Sequence, residues 1–197
     1  MKNLMHLLFT TLLILGGCKN DDDNTPIAPI DQLPPATKFG ANTAGCLVNG
    51  EVHLPNKRLT LNYLGRKDFA LSISKEIDDV FYKVYIYIYI GNTELEVGKT
   101  YQLKQEIDGS SSFGWYYSQN PLPNLFEMHY QTTVTVIGEV TITHHDADNF
   151  ILSGTFWFDA KFDHLYKLND SVVVNVTIDE SEIIEVTEGR FDMIYNI

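Results

Sequence analysis

An alternating run at residues 80–90, VFYKVYIYIYI, constrains the fold of this chain more than any other feature. Aliphatic side chains occupy the even positions from Val84 to Ile90, and tyrosines occupy the odd positions from Tyr85 to Tyr89. A period of two places each row on its own side of a β-strand. Neither side is polar, so we expect neighbouring strands and aromatic rings to cover both sides.

Further short runs rich in Val, Ile, Thr, Tyr and Phe follow residue 45, and this composition favours strands over helices. The other predicted strands are 46–48, 52–54, 58–64, 69–74, 100–106, 131–144, 149–160, 171–178 and 183–195. Asn49-Gly50 predicts a tight hairpin turn between the first two of these. The segment 108–124, DGSSSFGWYYSQNPLPN, is predicted to be irregular. We expect an all-β fold, an antiparallel β-sandwich of about 8–10 strands, with a lipocalin-like barrel as the alternative.

The first residues predict a lipoprotein signal peptide over 1–17. Lys2 supplies a positive start, and residues 4–15 form an apolar stretch that is short for a transmembrane helix. Leu15-Gly16-Gly17-Cys18 resembles the lipobox of bacterial lipoproteins, whose cysteine thiol receives diacylglycerol. An ordinary secretory leader with an incidental cysteine is the alternative. We therefore expect lipid on Cys18 and anchoring to a membrane through the acyl chains.

Residues 18–44 predict an acidic, proline-rich tether, followed by a single β-rich domain at 45–197. The acidic triplet Asp21, Asp22 and Asp23 resembles the export signal of Bacteroidota lipoproteins, which directs them to the outer face of the outer membrane. A linker without an address, which would leave the protein facing the periplasm, is the alternative.

The charge of the chain excludes one class of partner. Its net charge is −12, and loss of Lys2 with the leader makes it −13. A surface this acidic argues against nucleic acid, which is bound through Lys and Arg. The chain has two cysteines. With Cys18 lipidated, Cys46 has no partner in the chain, and its apolar neighbours predict a small buried core residue.

Three motifs resemble one known family. They are GCLVNG at the first hairpin, SGTFWFDA in a later strand and TEGRFD in the closing strand. Together they resemble a family of small Bacteroidota lipoproteins with no assigned activity, the domain of unknown function 6252. The resemblance covers most of the chain from Leu33 onward, more weakly in the middle. It implies a location and an architecture but no reaction, and it does not extend to residues 161–170, which are extra relative to the family pattern.

One polar segment contains atoms that could bind a metal ion. His144, His145, Asp146 and Asp148 lie within five positions. Adjacent histidines on a strand point to opposite sides, and Asp146-Ala147-Asp148 lacks the spacing of a calcium loop. We therefore predict a hairpin turn here and no metal site.

A second polar group, Asp159, Asp163 and His164, could form a carboxylate–histidine pair. No serine or cysteine in a nucleophile motif accompanies it, so we predict no catalytic residue and no cofactor. Near the C-terminus, Arg190 stands between Glu188 and Asp192 in sequence and predicts a surface ion pair.

Aromatic residues in the predicted loop are the candidate ligand-facing residues: Trp115, Tyr116 and Tyr117. Ring faces exposed in a polar loop suit carbohydrate or peptide ligands, whereas a loop folded onto the end of the core is the alternative. The tyrosine row of residues 85–89 is predicted to pack across strands.

These observations predict a non-enzymatic, lipid-anchored envelope protein. We expect it to contact the membrane through its N-terminal lipid and to bind a glycan or another envelope protein. The alternatives are a lipocalin-like carrier of an apolar small molecule and a hydrolase with an acidic site.

We expect the Cys18→Ser variant to incorporate no radiolabelled palmitate and to keep its leader, because a hydroxyl does not replace the thiol of the lipobox. Metabolic labelling followed by membrane fractionation measures both effects. Cys46→Ser is the matched control and should be labelled normally. Unchanged maturation and fractionation of Cys18→Ser would contradict the lipoprotein prediction.

Overall fold

The computed structural model describes residues 26–77, 82–105, 111–120, 126–167 and 179–197. In these ranges the chain forms one turn of 3-10 helix, Pro29–Gln32, and eleven β-strands. The strands are β1 (Thr43–Val48), β2 (Glu51–His53), β3 (Arg58–Leu64), β4 (Asp68–Ile77), β5 (Tyr82–Ile90), β6 (Thr100–Gln105), β7 (Ser111–Asn120), β8 (Phe126–Gln131), β9 (Gly138–Asp146), β10 (Ile151–Lys167) and β11 (Ile183–Ile194). All pairings between these strands are antiparallel. The predicted all-β, antiparallel fold is confirmed, with slightly more strands than expected.

The strands form one continuous sheet in the order β2-β1-β11-β10-β9-β6-β7-β5-β4-β3. The long strand β10 has two neighbours along one edge. Its residues 151–158 pair with β9, and its residues 161–167 pair with β8. Because β8 also pairs with β7, it forms a second connection between β10 and β7.

The sheet curls until its two halves face each other. Asn196, which follows β11, donates its backbone N–H to Leu61 O of β3 (2.9 Å), and Tyr63 N donates to Asn196 O (2.8 Å). In the interior, the ring of Phe69 on β4 lies 5.7 Å from the ring of Phe191 on β11. The halves thus pack around one core in the sandwich-like manner that was predicted.

Aliphatic and aromatic side chains fill this interior. The largest fully buried ones are Tyr63, Phe69, Phe126, Phe158, Leu61, Leu71, Ile73, Ile86, Ile88, Ile90, Leu103 and Ile142. The buried row of β5 is the aliphatic one, as its alternation predicted. Cys46 is fully buried as well, which confirms its predicted place in the core, and burial raises the pKa of its thiol. A lipocalin-like carrier would need an apolar cavity in this interior. In the described residues, the side chains named above occupy that space.

The prediction of an irregular segment over residues 108–124 is wrong for its described part, because Ser111–Asn120 forms β7. Serine and glycine have low strand propensity, but β7 is hydrogen-bonded to β5 on one edge and to β8 on the other. Gly114 has a packing reason: a Cβ at this position would lie 2.7 Å from the ring of Phe158 on β10. The glycine therefore marks a close approach between two strands. No strand was predicted for residues 126–130 of β8, and the predicted strand at 171–178 lies outside the described residues.

A buried carboxylate joins the N-terminal segment to the last strand. Asp192 on β11 is 1% exposed, and it accepts five hydrogen bonds. The donors are Thr37 Oγ1 (2.5 Å), Ser153 Oγ (2.7 Å), Gly40 N (2.9 Å), Ala41 N (3.1 Å) and Phe39 N (3.2 Å). The predicted ion pair with Arg190 is wrong, because Arg190 instead donates to Pro34 O and Glu188 O. Burial acts to raise the pKa of Asp192, but the hydrogen bonds outweigh it and lower the pKa to about 2.

We expect Asp192→Asn to lower the free energy of unfolding by about 3 kcal/mol at neutral pH, because an amide cannot accept all of these hydrogen bonds. The charged form of Asp192 stabilises the fold above the pKa of about 3.9 that an unfolded aspartate has, and this stabilisation is lost as the pH falls towards about 2. Chemical denaturation at several pH values should therefore show a shallower loss of stability between pH 4 and pH 2 in the variant. Asp148→Asn, in an exposed turn, is the control, and equal stability of both variants at neutral pH would contradict the prediction.

Candidate functional site

Aromatic rings cover the outer side of the sheet over β5, β7, β8 and β10. This surface, named the aromatic face, consists of Tyr85, Tyr87, Tyr89, Phe113, Trp115, Tyr117, His129 and His164. The period-two alternation explains it, since Ile86 and Ile88 are fully buried on the opposite side of β5. On β7 the neighbours of the outward residues are Gly114, Tyr116 and the buried Ser118.

Four rings of the aromatic face form a continuous stack across four strands, named the ring column. Tyr85 stacks on Tyr117 with centroids 4.2 Å apart and planes within 9°. Tyr117 stacks on His129 at 5.2 Å, and His129 stacks on His164 at 4.5 Å. The strand register explains the column, because Tyr117 pairs with both Tyr85 and His129, and His129 pairs with His164.

The other rings pack beside the column. Phe113 lies 5.5 Å from Tyr89 and 5.3 Å from Trp115, between ring centroids. Trp115 Nε1 donates to Gln131 Oε1 (2.5 Å), and Tyr89 Oη donates to Asp68 Oδ1 (3.0 Å). The polar atoms of these side chains are thus held at defined positions around an apolar surface.

Partial burial within the aromatic face changes the acidity of its hydroxyl groups. Burial raises the pKa of Tyr87, and burial together with the hydrogen bond to Asp68 raises the pKa of Tyr89. The pKa of Tyr117 is raised by burial first and then by Tyr85 and Glu127, while the charge of Arg58 acts in the opposite direction. All three hydroxyl groups therefore stay protonated at neutral pH, and the Tyr89 hydroxyl uses its proton in the hydrogen bond to Asp68.

His129 stands in the middle of the ring column. Its Nε2 atom lies 3.1 Å from Glu127 Oε2. Its Nδ1 atom is buried and has no hydrogen-bond partner among the described residues. A buried polar atom without a hydrogen-bond partner lowers the stability of the fold. Stacking on Tyr117 and His164 holds the ring in this position.

A groove opens at the Tyr85 end of the ring column. It measures about 370 Å³, and its lining residues are Lys57, Arg58, Ser74, Lys75, Glu76, Lys83 and Tyr85. Lys57 pairs with Glu76 at 2.8 Å. Lys75 donates to the backbone oxygen of Val52 (3.1 Å). This surface is named the basic groove.

A second groove, of about 490 Å³, lies on the outer side of β9, β10 and β11. Trp157 and Glu139 line it, and the indole Nε1 donates to Glu139 Oε2 (3.2 Å). Arg190 contributes the cation of this groove.

The predicted ligand-facing residues separate into two groups. Trp115 and Tyr117 lie on the aromatic face, but Tyr116 points to the other side of β7 and packs edge-on against Tyr130, with centroids 5.9 Å apart. The prediction that the three lie in a loop is wrong, because they belong to strand β7. Adjacent strand residues point in opposite directions, which separates Tyr116 from the other two. The tyrosine row of β5 packs across strands, as predicted.

The structure also shows the surroundings of the polar segment that was considered as a metal site. Asp146 accepts hydrogen bonds from the backbone N–H groups of Asp148 and Asn149, which confirms the predicted hairpin turn. His145 packs against Tyr195. No group of three or more His, Cys, Asp or Glu residues in the described ranges could hold a metal ion.

Asp163 and His164 form the carboxylate–histidine pair, with Oδ2 and Nδ1 2.6 Å apart and side chains 37% and 48% exposed. Asp159 does not join them: its cross-strand neighbour is Glu185. Burial raises the pKa of Asp159, and the charge of Glu185 adds to the effect.

The sequence reasoning missed His129, Arg58 and Lys83. The signal for His129 was its alternation with Glu127 and Gln131, which follows the strand period. Arg58 carried no local signal, because it comes near Tyr85 only through strand pairing, whereas the signal for Lys83 was its position two residues before Tyr85 on the same strand. Cys18, Asp21, Asp22 and Asp23 lie outside the described residues.

No family model, no curated protein and no solved structure matches this chain. The resemblance to the Bacteroidota lipoprotein family therefore stays a prediction. Among the residues described, no helix has the length and apolar character needed to cross a membrane.

Proposed function

We propose that this chain is a lipid-anchored protein of the outer membrane that binds a carbohydrate chain on its aromatic face and catalyses no reaction. The lipobox ending at Cys18 supports the anchor, and Asp21, Asp22 and Asp23 support an outward-facing location. A net charge of −12 argues against nucleic acid as a partner.

The aromatic face is the observation that carries this proposal. Its rings lie on the outer side of a sheet whose other side already covers the core. Packing of the core therefore does not require these rings. Clustered aromatic rings on an outer surface are typical of a binding surface. Ring surfaces pack on the C–H groups of sugars, which are apolar on one side and polar around the rim.

Fixed polar atoms around the rings favour a carbohydrate over a purely apolar ligand. Gln131, Glu127 and Asp68 each hold a side chain of the aromatic face by a hydrogen bond, and their remaining lone pairs can accept from sugar hydroxyl groups. Binding rather than hydrolysis is favoured, because the Asp163–His164 pair is exposed to solvent and does not converge with Asp159.

The two tryptophans of this chain provide a matched test, since Trp115 lies on the aromatic face and Trp157 in the groove of β9–β11. A glycan array probed with the full-length lipidated protein in detergent identifies the carbohydrate that binds. We expect Trp115→Ala to weaken binding to that carbohydrate at least tenfold, about 1.4 kcal/mol, through loss of ring packing. Trp157→Ala should bind like the unsubstituted protein.

A second readout covers the case in which Trp115→Ala unfolds. In Trp157→Phe, Trp115 is the remaining tryptophan, and its fluorescence should change on titration with the bound carbohydrate. If the Trp157→Phe variant binds the carbohydrate with normal affinity but its fluorescence stays constant, the aromatic face is excluded as the binding surface. An array without any bound carbohydrate would contradict the proposed function itself.

A further inference from the structure

The ring column ends at the basic groove with the ring of Tyr85. Tyr117 covers one side of the Tyr85 ring. On the other side lies β4, where the residue paired with Tyr85 is Ser74. Serine is too small to cover a tyrosine ring, and both residues line the basic groove. The column thus ends in a ring whose second side borders a groove.

The basic groove is cationic although the protein is acidic. Four of the chain's 14 Lys and Arg residues line it, whereas the net charge of the chain is −12. Among the residues that the structure describes, Glu76 is the one carboxylate that lines it, and Lys57 pairs with that carboxylate at 2.8 Å. Among the described residues, no acidic side chain forms an ion pair with Arg58 or Lys83, although Glu76 is the cross-strand neighbour of Lys83.

Arg58 and Lys83 both line the groove beside the Tyr85 ring. Arg58 on β3 is the register partner of Ser74, which in turn pairs with Tyr85. Lys83 lies two residues before Tyr85 and therefore on the same side of β5. A flat aromatic surface beside two cations matches a sugar ring that carries an anionic group: the ring packs on the C–H groups, and the cations bind the anion.

We propose that the basic groove recognises an acidic sugar unit, a carboxylate- or sulfate-bearing residue, within the carbohydrate chain bound by the aromatic face. This inference rests on the proposed function and adds the chemical class of the ligand. The acidic surface elsewhere repels such a chain, so binding is directed to the groove and weakens with added salt.

The test compares ligands that differ only in charge, on full-length lipidated protein in detergent. Oligogalacturonate and its methyl ester form one pair, and a sulfated oligosaccharide and its desulfated form are the second. Titrations follow Trp115 fluorescence in the Trp157→Phe background and heat in the unsubstituted protein. We expect at least one acidic ligand to bind tenfold or more tightly than its neutral partner, with affinity falling as NaCl rises from 50 to 500 mM.

The variant for this test is Arg58→Gln combined with Lys83→Gln, and Lys38→Gln combined with Lys161→Gln is the control with the same change in charge. We expect the first to lose tenfold or more in affinity for the acidic ligand and to keep its affinity for the neutral one. The control should leave both affinities unchanged. Both substituted residues of the groove are at the surface, and circular dichroism and thermal unfolding verify that the fold is kept.

The other outcomes separate the two proposals. Equal binding of charged and neutral ligands, or loss in Trp115→Ala but not in the Arg58 and Lys83 variant, would overturn the acidic-sugar inference and leave the carbohydrate proposal standing. Inorganic sulfate that binds as tightly as the oligosaccharides would reduce the groove to an anion site and overturn the inference. Absence of binding by every charged and neutral carbohydrate would count against both.

Discussion

The alternation of isoleucine and tyrosine along β5 links the core to the aromatic face. Ile86 and Ile88 are fully buried, and a slip of one residue in the pairing of β5 would move them to the outer side and bring the tyrosines inward. The cost of exposing that buried apolar surface holds the register. The same register places Tyr85 opposite Tyr117, so the geometry of the outer rings depends on the packing of the inner ones.

Stacking across strands gives the outer rings an order that a cluster of exposed aromatic side chains would lack. Within the ring column each inner ring is covered on both sides, and this fixes its orientation. Side chains that are already ordered lose less conformational entropy when a ligand binds. The end of the column at Tyr85 borders cations from β3, which β4 separates from β5, and from β5 itself. Electrostatic and aromatic recognition therefore coincide at one place on an otherwise acidic molecule.

The N-terminal segment is part of the folded body before the first strand begins. Leu33 is buried, and Asp192 holds the backbone of residues 39–41 against β11. A lipid on Cys18, as proposed, would thus be separated from a fixed point near Leu33 by a chain that spans at most about 50 Å. This reach is enough to hold the folded body away from the membrane surface.

Local patterns in the sequence determined much of the strand architecture. They predicted β3 with its observed limits, the buried and outer rows of β5, the Asn49-Gly50 turn and the turn at Asp146, because each depends on neighbouring residues alone. The burial of Cys46 and the cross-strand packing of the tyrosines were predicted for the same reason.

Only the tertiary structure decided the rest. The serine- and glycine-containing stretch of β7 becomes a strand through its pairing with β5 and β8, and Gly114 is required there by Phe158 from a distant part of the chain. The basic groove and the five hydrogen bonds to Asp192 likewise join residues far apart in sequence. Periodicity indicates which side of a strand a residue occupies. Which strands become neighbours depends instead on packing energies summed over the whole sheet. The arrangement of the candidate site depends on those strand neighbours, and so it could not be predicted from the sequence.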